Sequence, residues 1–263
     1  MSAGCLRDCL HAEWTKVRTL PGTFWLLAGV VVLTAVVGAV TAAAVSCPAA
    51  GCGQDPARLS LTGVELGQAV AAIVAVLAVA GEYSTGMIRV TLAAAPRRGT
   101  VLAAKALIVT GLVLAAGTVG VLASMLAGRL ILPGRGLTPA HGYPPLSLTG
   151  PDLRAAAGSV LYLGLVALLA LGLAVAIRDP AVAIGSALGL LYLFPVVATA
   201  LDPDWRRHLE QIGPMSAGLD IQATTRAALG SQALGPWAGL GVLALWALGA
   251  MLLGGLLFRL RDA

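Results

Sequence analysis

The sequence predicts an all-α integral membrane protein with six transmembrane helices, and three observations carry that expectation. Only 11% of its 263 residues are charged while 58% are hydrophobic, and the mean hydropathy is +0.90. A soluble domain carries about 25% charge. Six apolar runs, near 22–46, 61–81, 103–128, 155–177, 180–201 and 236–258, match the roughly 20 residues that a bilayer crossing needs. Gly is abundant at 33 residues and aromatics are scarce at 5%, a composition suited to helices that pack closely in lipid. At that depth the backbone must satisfy its own hydrogen bonds, so the runs are helices. A membrane barrel would need alternating strands of about 10 residues, and the sequence has none. Residues 1–263 therefore form one membrane domain.

Residues 1–21 come first. Leu6, Leu10, Trp14, Val17 and Leu20 recur at helical spacing among Arg7, Asp8, Glu13, Lys16 and Arg18. That pattern predicts an interfacial helix with Trp14 at headgroup level, broken by Pro21-Gly22 before the first span. Charges stand where the apolar core of a signal peptide would be, so no such peptide is expected. Cys5 and Cys9 share one helix face but offer too few ligands for a metal. After the first span, Cys47 and Cys52 form a close pair that fits a small disulfide loop on the oxidising side of a membrane. The loop 129–154 is rich in Gly and Pro and reads as irregular. Pro195 is expected to kink the fifth span. The loop 202–235 mixes Trp205, Leu209, Ile212, Met215 and Leu219 with charges, which predicts short helices against the membrane surface, as a cap or an exit gate.

The cations set the orientation. Six crossings put both termini on one side, where ten Lys and Arg stand against five acids; the other side has seven against seven. The excess of Lys and Arg predicts that both termini are cytoplasmic. The net charge of +5 is explained by this placement, and no nucleic-acid partner is expected.

Several chemistries find no motif. There is no Gly-x-x-x-x-Gly-Lys-Ser/Thr phosphate loop, no His-Glu-x-x-His and no Gly-x-Ser-x-Gly. His11, His141 and His208 are isolated, and Ser124, Ser159 and Ser186 read as packing hydroxyls within spans. The chain is thus not expected to be an enzyme, and no cofactor or metal is expected in it. Glu65, at the outer edge of the second span, is the nearest approach to an intramembrane acid. Gln68 either faces a polar path or bonds a neighbouring helix. Gly63/Gly67, Gly185/Gly189 and Gly235/Gly239 have small-x-x-x-small spacing.

The polar interruption at 82–102, between the second and third spans, is the most informative stretch. It reads Glu82, Tyr83, Ser84, Thr85, Gly86, Met87, Ile88, Arg89, Val90, Thr91, Leu92, then Ala93–Ala95, Pro96, Arg97 and Arg98, and leads to Ala103, Ala104 and Lys105. This acid and aromatic, Gly, Arg, Thr-Leu, Pro and basic order resembles the cytoplasmic loop of bacterial ABC-2 type transporter permeases. Glu13, Trp14, Lys16 and Arg18 before Pro21 resemble the family's lead-in segment, and Pro214-Met215-Ser216-Ala217-Gly218 resembles its Pro-x-x-Ala-Gly stretch. The resemblance covers the whole chain. It implies a bacterial plasma-membrane exporter with two permease subunits, identical or not, and two copies of a separate ATPase that holds ATP and Mg.

Physically, residues 82–94 have the length for a coupling helix about 20 Å long. Pro96 ends it, and Arg97 and Arg98 are placed to meet lipid headgroups or an acidic partner. Glu82 is expected to pair with Arg89 or Arg97. Under this reading the coupling residues are Glu82, Tyr83, Gly86, Arg89, Leu92, Pro96, Arg97 and Arg98. A secondary transporter or channel, and a membrane anchor that transports nothing, are the alternatives.

Overall fold

The computed structural model describes residues 3–19, 21–47, 53–87, 98–143, 145–147, 149–225 and 234–260, and no strand occurs among them. α1 is Ala3–Thr19, α2 Pro21–Ala44, α3 Pro56–Leu61, α4 Val64–Ser84 and α5 Arg98–Ile131. Two 3-10 turns, Leu132–Arg135 and Pro139–His141, precede α6 at Gly150–Ile177. α7 is Pro180–Thr199, α8 Pro203–Ile212, α9 Pro214–Leu219 and α10 Pro236–Leu260. Prolines open α2, α3, α7, α8, α9 and α10, where the missing N–H costs nothing and the fixed φ suits a first turn. Asp179 caps α7 by accepting from the Val182 N–H at 2.8 Å. α7 runs through Pro195 as an unbroken helix.

Six helical segments are long and apolar enough to cross a membrane: Pro21–Ala44, Pro56–Ser84, Arg98–Arg135, Gly150–Ile177, Pro180–Thr199 and Pro236–Leu260. Each contains one of the six expected runs, apart from a residue or two at some ends. Two are central. The most apolar stretches of Pro56–Ser84 and Gly150–Ile177 are 61% buried, against 22–28% for the other four. α4 and α6 thus form the protein core, and α2, α5, α7 and α10 turn apolar faces outward.

Small residues set the closest approaches. At the α6–α10 crossing, a methyl on Gly172 would overlap the Ala250–Met251 backbone, and one on Gly254 would overlap the Gly172 carbonyl. The glycine pairs singled out by spacing behave unequally. Gly63 and Gly67 pack against Thr34 of α2, and Gly239 packs against the Ala217 carbonyl, but Gly185, Gly189 and Gly235 face open space. The α6–α10 contact involves a mixed Ala250-x-x-x-Gly254 step on α10 and the single Gly172 on α6, so a search for Gly pairs misses it.

The ends of the helices make two faces. One gathers α1, the end of α4, the start of α5 and the ends of α6 and α10; it is called the terminal face here. On the opposite, far face, the loops are ordered by backbone contacts. Cys47 N–H donates to the Arg135 carbonyl at 2.8 Å, and Gly136, at φ +89°, lies where a side chain would strike the Cys47 carbonyl. The loop 129–154 therefore holds two 3-10 turns against the first loop instead of being irregular throughout. Asp55 is buried and ties α3 to residues 224–225: its carboxylate accepts from the N–H groups of Ala57, Thr224 and Thr225 at 3.1, 2.6 and 3.1 Å, and from the Thr224 hydroxyl at 2.8 Å. Inside the bundle, Gln68 bonds neighbouring elements. It accepts from the Tyr162 hydroxyl and donates to the Met215 sulfur at 3.2 Å. Ser124 donates to the Ser60 carbonyl, and the Ser159 hydroxyl accepts from Gln222, both as packing hydroxyls.

Candidate functional site

On the terminal face, four buried or half-buried ionisable side chains from three helices bond one another. Glu13 and Lys16 lie three residues apart on α1, so they share a face and bond each other at 2.9 Å. Glu82 belongs to the last turn of α4, and Lys105 to the second turn of α5. Lys105 Nζ donates to Glu13 Oε2 at 2.7 Å, to Glu82 Oε1 at 2.9 Å and to the Ala78 carbonyl at 3.1 Å. Its three N–H donors are all used. Lys16 Nζ donates to the same Glu82 oxygen at 2.8 Å. Two acids and two ammonium groups make the quartet neutral.

The physics of this cluster follows from its depth. Lys105 is 4% exposed, Glu13 6% and Glu82 9%, and a charge so far from water survives only when paired and hydrogen-bonded. The end of α4 helps, because its carbonyls carry the negative end of a helix dipole toward the Lys105 ammonium. Lys16 is the more exposed partner. Burial works to lower its affinity for a proton, but the bonds and charges of Glu82 and Glu13 outweigh this and raise its pKa above 10.5. One acceptor is left over: Glu82 Oε2 is buried and has no hydrogen-bond partner among the described residues.

The neighbouring residues hold the helix ends together. Tyr83 lies beneath Arg178, whose guanidinium carbon is 5.2 Å from the ring centroid. Arg178 is the C-cap of α6 and adopts φ +68°. Arg98 donates to the Phe258 carbonyl in the last turns of α10 at 2.9 Å, joining the start of one span to the end of another.

The predicted site residues therefore divide. Glu82 and Tyr83 do not begin a separate helix over 82–94; they are the end of α4. The helix stops where the Gly86 N–H bonds back to the Tyr83 carbonyl at 3.2 Å and Gly86 takes φ +71°, a left-handed geometry that glycine adopts without strain. Gly86 acts as a stop, and helix resumes at Met87. Glu82 pairs with Lys16 and Lys105, and its expected partners Arg89 and Arg97 lie outside the described residues. Arg98 is half-buried and bonds the end of α10. Glu13 and Lys16 turn inward, while Trp14 is 46% exposed. Arg89, Leu92, Pro96 and Arg97 lie outside the described residues, as does Cys52, and with it the Cys47–Cys52 pairing. Cys47 itself is buried.

Lys105 is the residue that sequence reasoning left out of the site. The signal was present: a lone lysine between Ala104 and Ala106, just inside an apolar run, demands a counter-charge. Its partners lie 23 and 92 residues away. The quartet also joins two of the three stretches that carry the family resemblance, since Glu13 and Lys16 come from the lead-in segment, and Glu82 and Lys105 bound the loop. No protein-family model matches this chain, and no curated protein matches it.

Proposed function

We propose that this chain is the membrane-spanning permease subunit of an ATP-driven ABC-2 type exporter in a bacterial plasma membrane. It works beside a second permease subunit and two copies of a separate ATPase, which supplies the nucleotide chemistry for which this sequence has no motif. The observation that carries the reading is the buried quartet, because it joins residues of two of the segments that resemble the family into one mechanical unit. A load applied between Gly86 and Arg98 reaches α4 through Glu82 and α5 through Lys105, and both share Glu13 and Lys16 with α1. Rigid charge pairs at the base of the second and third spans suit transmission of work into a bundle that is otherwise apolar.

In this reading the terminal face is cytoplasmic, as the excess of Lys and Arg favours, and α1 lies in the cytoplasmic membrane interface with Trp14 toward the headgroups. The outward apolar faces of α2, α5, α7 and α10 meet lipid and the second subunit. Affinity capture of the full chain from native membranes in mild detergent tests the proposal. It should bring down, in stoichiometric amount, a polypeptide that carries a phosphate-loop motif and hydrolyses ATP. Recovery of the chain without any such subunit contradicts it and returns the anchor and secondary-transporter readings.

A further inference from the structure

The far face holds a cavity of about 320 Å³ where four separate stretches of chain meet: residues 53–57 at the start of α3, residues 141–143 with Leu146, Asp152 in the first turn of α6, and residues 224–225. That volume is at the small end of ligand pockets and suits one small organic molecule. Its apolar wall includes Pro56, Tyr143 and Leu146, and its polar groups include Gln54, His141 and Asp152.

The hydrogen bonds already made around the cavity decide what it would bind. His141 Nδ1 is 2.7 Å from the Gly136 carbonyl. A carbonyl only accepts, so the contact assigns the proton to Nδ1 and leaves Nε2 an acceptor in the neutral ring. Asp152 Oδ2 accepts from the Ser147 N–H at 2.9 Å, while its Oδ1 accepts no hydrogen bond among the described residues. Asp55 sits close by but is spent on Ala57, Arg58 and residues 224–225. Arg154, two residues from Asp152, donates instead to the Ala223 carbonyl at 2.6 Å. Among the described residues the cavity thus offers a carboxylate oxygen without a hydrogen bond and an imidazole acceptor beside an apolar wall. An anion would meet the carboxylate, whereas an ammonium group complements it.

We propose that this cavity is a binding site for a small organic ammonium ion, with the N–H donors on Asp152 and His141 and the apolar body against Tyr143 and Leu146. The proposal does not depend on the exporter reading, because it concerns equilibrium binding to this chain alone.

Three matched probes test it on the purified full chain in zwitterionic-lipid nanodiscs, with empty nanodiscs subtracted: 2-phenylethylammonium, 2-phenylethanol and 3-phenylpropionate. Calorimetric titration should show saturable binding of the ammonium at least tenfold tighter than either of the others. Asp152→Asn keeps the acceptor for Ser147 and removes the charge. It should weaken the ammonium at least tenfold while leaving the thermal unfolding midpoint unchanged. Gln54→Trp, an exposed wall position, should weaken it by obstruction and guards against a folding defect in the first variant. Equal affinity for the three probes, no saturable ammonium binding, or wild-type affinity in both variants overturns the proposal.

Discussion

Removing the Lys105 ammonium is the sharpest perturbation of the terminal face. Lys105→Met keeps much of the side-chain volume but deletes one charge and three hydrogen bonds, those to Glu13, Glu82 and Ala78. Two carboxylates then share the single ammonium of Lys16, whose side chain is 27% exposed while those of Glu13 and Glu82 are 8% and 11% exposed. Breaking a buried pair on one side costs about 3–5 kcal/mol, mostly from the charge left behind. For a chain of this size that corresponds to a fall of about 6 °C or more in the unfolding midpoint. The assay is thermal unfolding of the purified chain in nanodiscs, run as a cycle with Glu13→Gln and with the double variant. Glu13→Gln removes the orphaned charge, so the double variant should recover at least half of the loss. A shift under about 1 °C in Lys105→Met, or a double variant no more stable than Lys105→Met, refutes the reasoning, because either means the cluster is hydrated or unpaired.

Three further outcomes are expected. The pKa of Lys16 is raised on folding because Glu82 and Glu13 outweigh its burial, so its contribution is complete below pH 10.5 and is lost as pH rises through the folded value; Lys16→Met should remove that alkaline decline, as read from unfolding midpoints between pH 9 and 12. Asp220, on the far face, is pushed up from 3.8 to about 6 by burial and by Glu210, against the opposing charge of Arg58. Its native state binds the extra proton, so stability should fall as pH rises from about 4 to about 6 and then level off; Asp220→Asn should flatten that step in a pH series of midpoints. Gly172→Ala places a methyl into the α10 backbone and should cost about 1–3 kcal/mol, whereas Gly185→Ala, facing open space, should leave the unfolding midpoint unchanged or slightly higher.

The spans were legible because each is a long apolar run with an almost charge-free centre, and the bilayer leaves the backbone no other structure. The helix starts were written in their prolines. α1 was legible as a helix from the spacing of Leu6, Leu10, Trp14 and Val17, but not the inward turn of Glu13 and Lys16, since polarity alone assigns charges to water. The charge pattern changes at Glu82 and so predicts a new helix there, whereas the chain breaks four residues later at Gly86. The pairing of Lys105 with Glu13 spans 92 residues, and no local pattern carries contacts of that range. The far-face cavity is of the same kind. His141 and Asp152 are unremarkable in sequence, and only tertiary packing brings a 3-10 turn and the start of α6 to one wall.

The proposal that this chain converts work done by a separate ATPase is tested most directly by hydrolysis measured in reconstituted proteoliposomes. The purified chain alone should hydrolyse no ATP. With the captured ATPase, wild-type chain should raise the hydrolysis rate per ATPase. The Glu82→Gln/Lys105→Met variant, neutral at both positions and still assembled, should fail to raise it. Hydrolysis by the chain alone that survives further purification contradicts the account, and so does an ATPase whose rate is the same with wild-type chain, with the variant and without either.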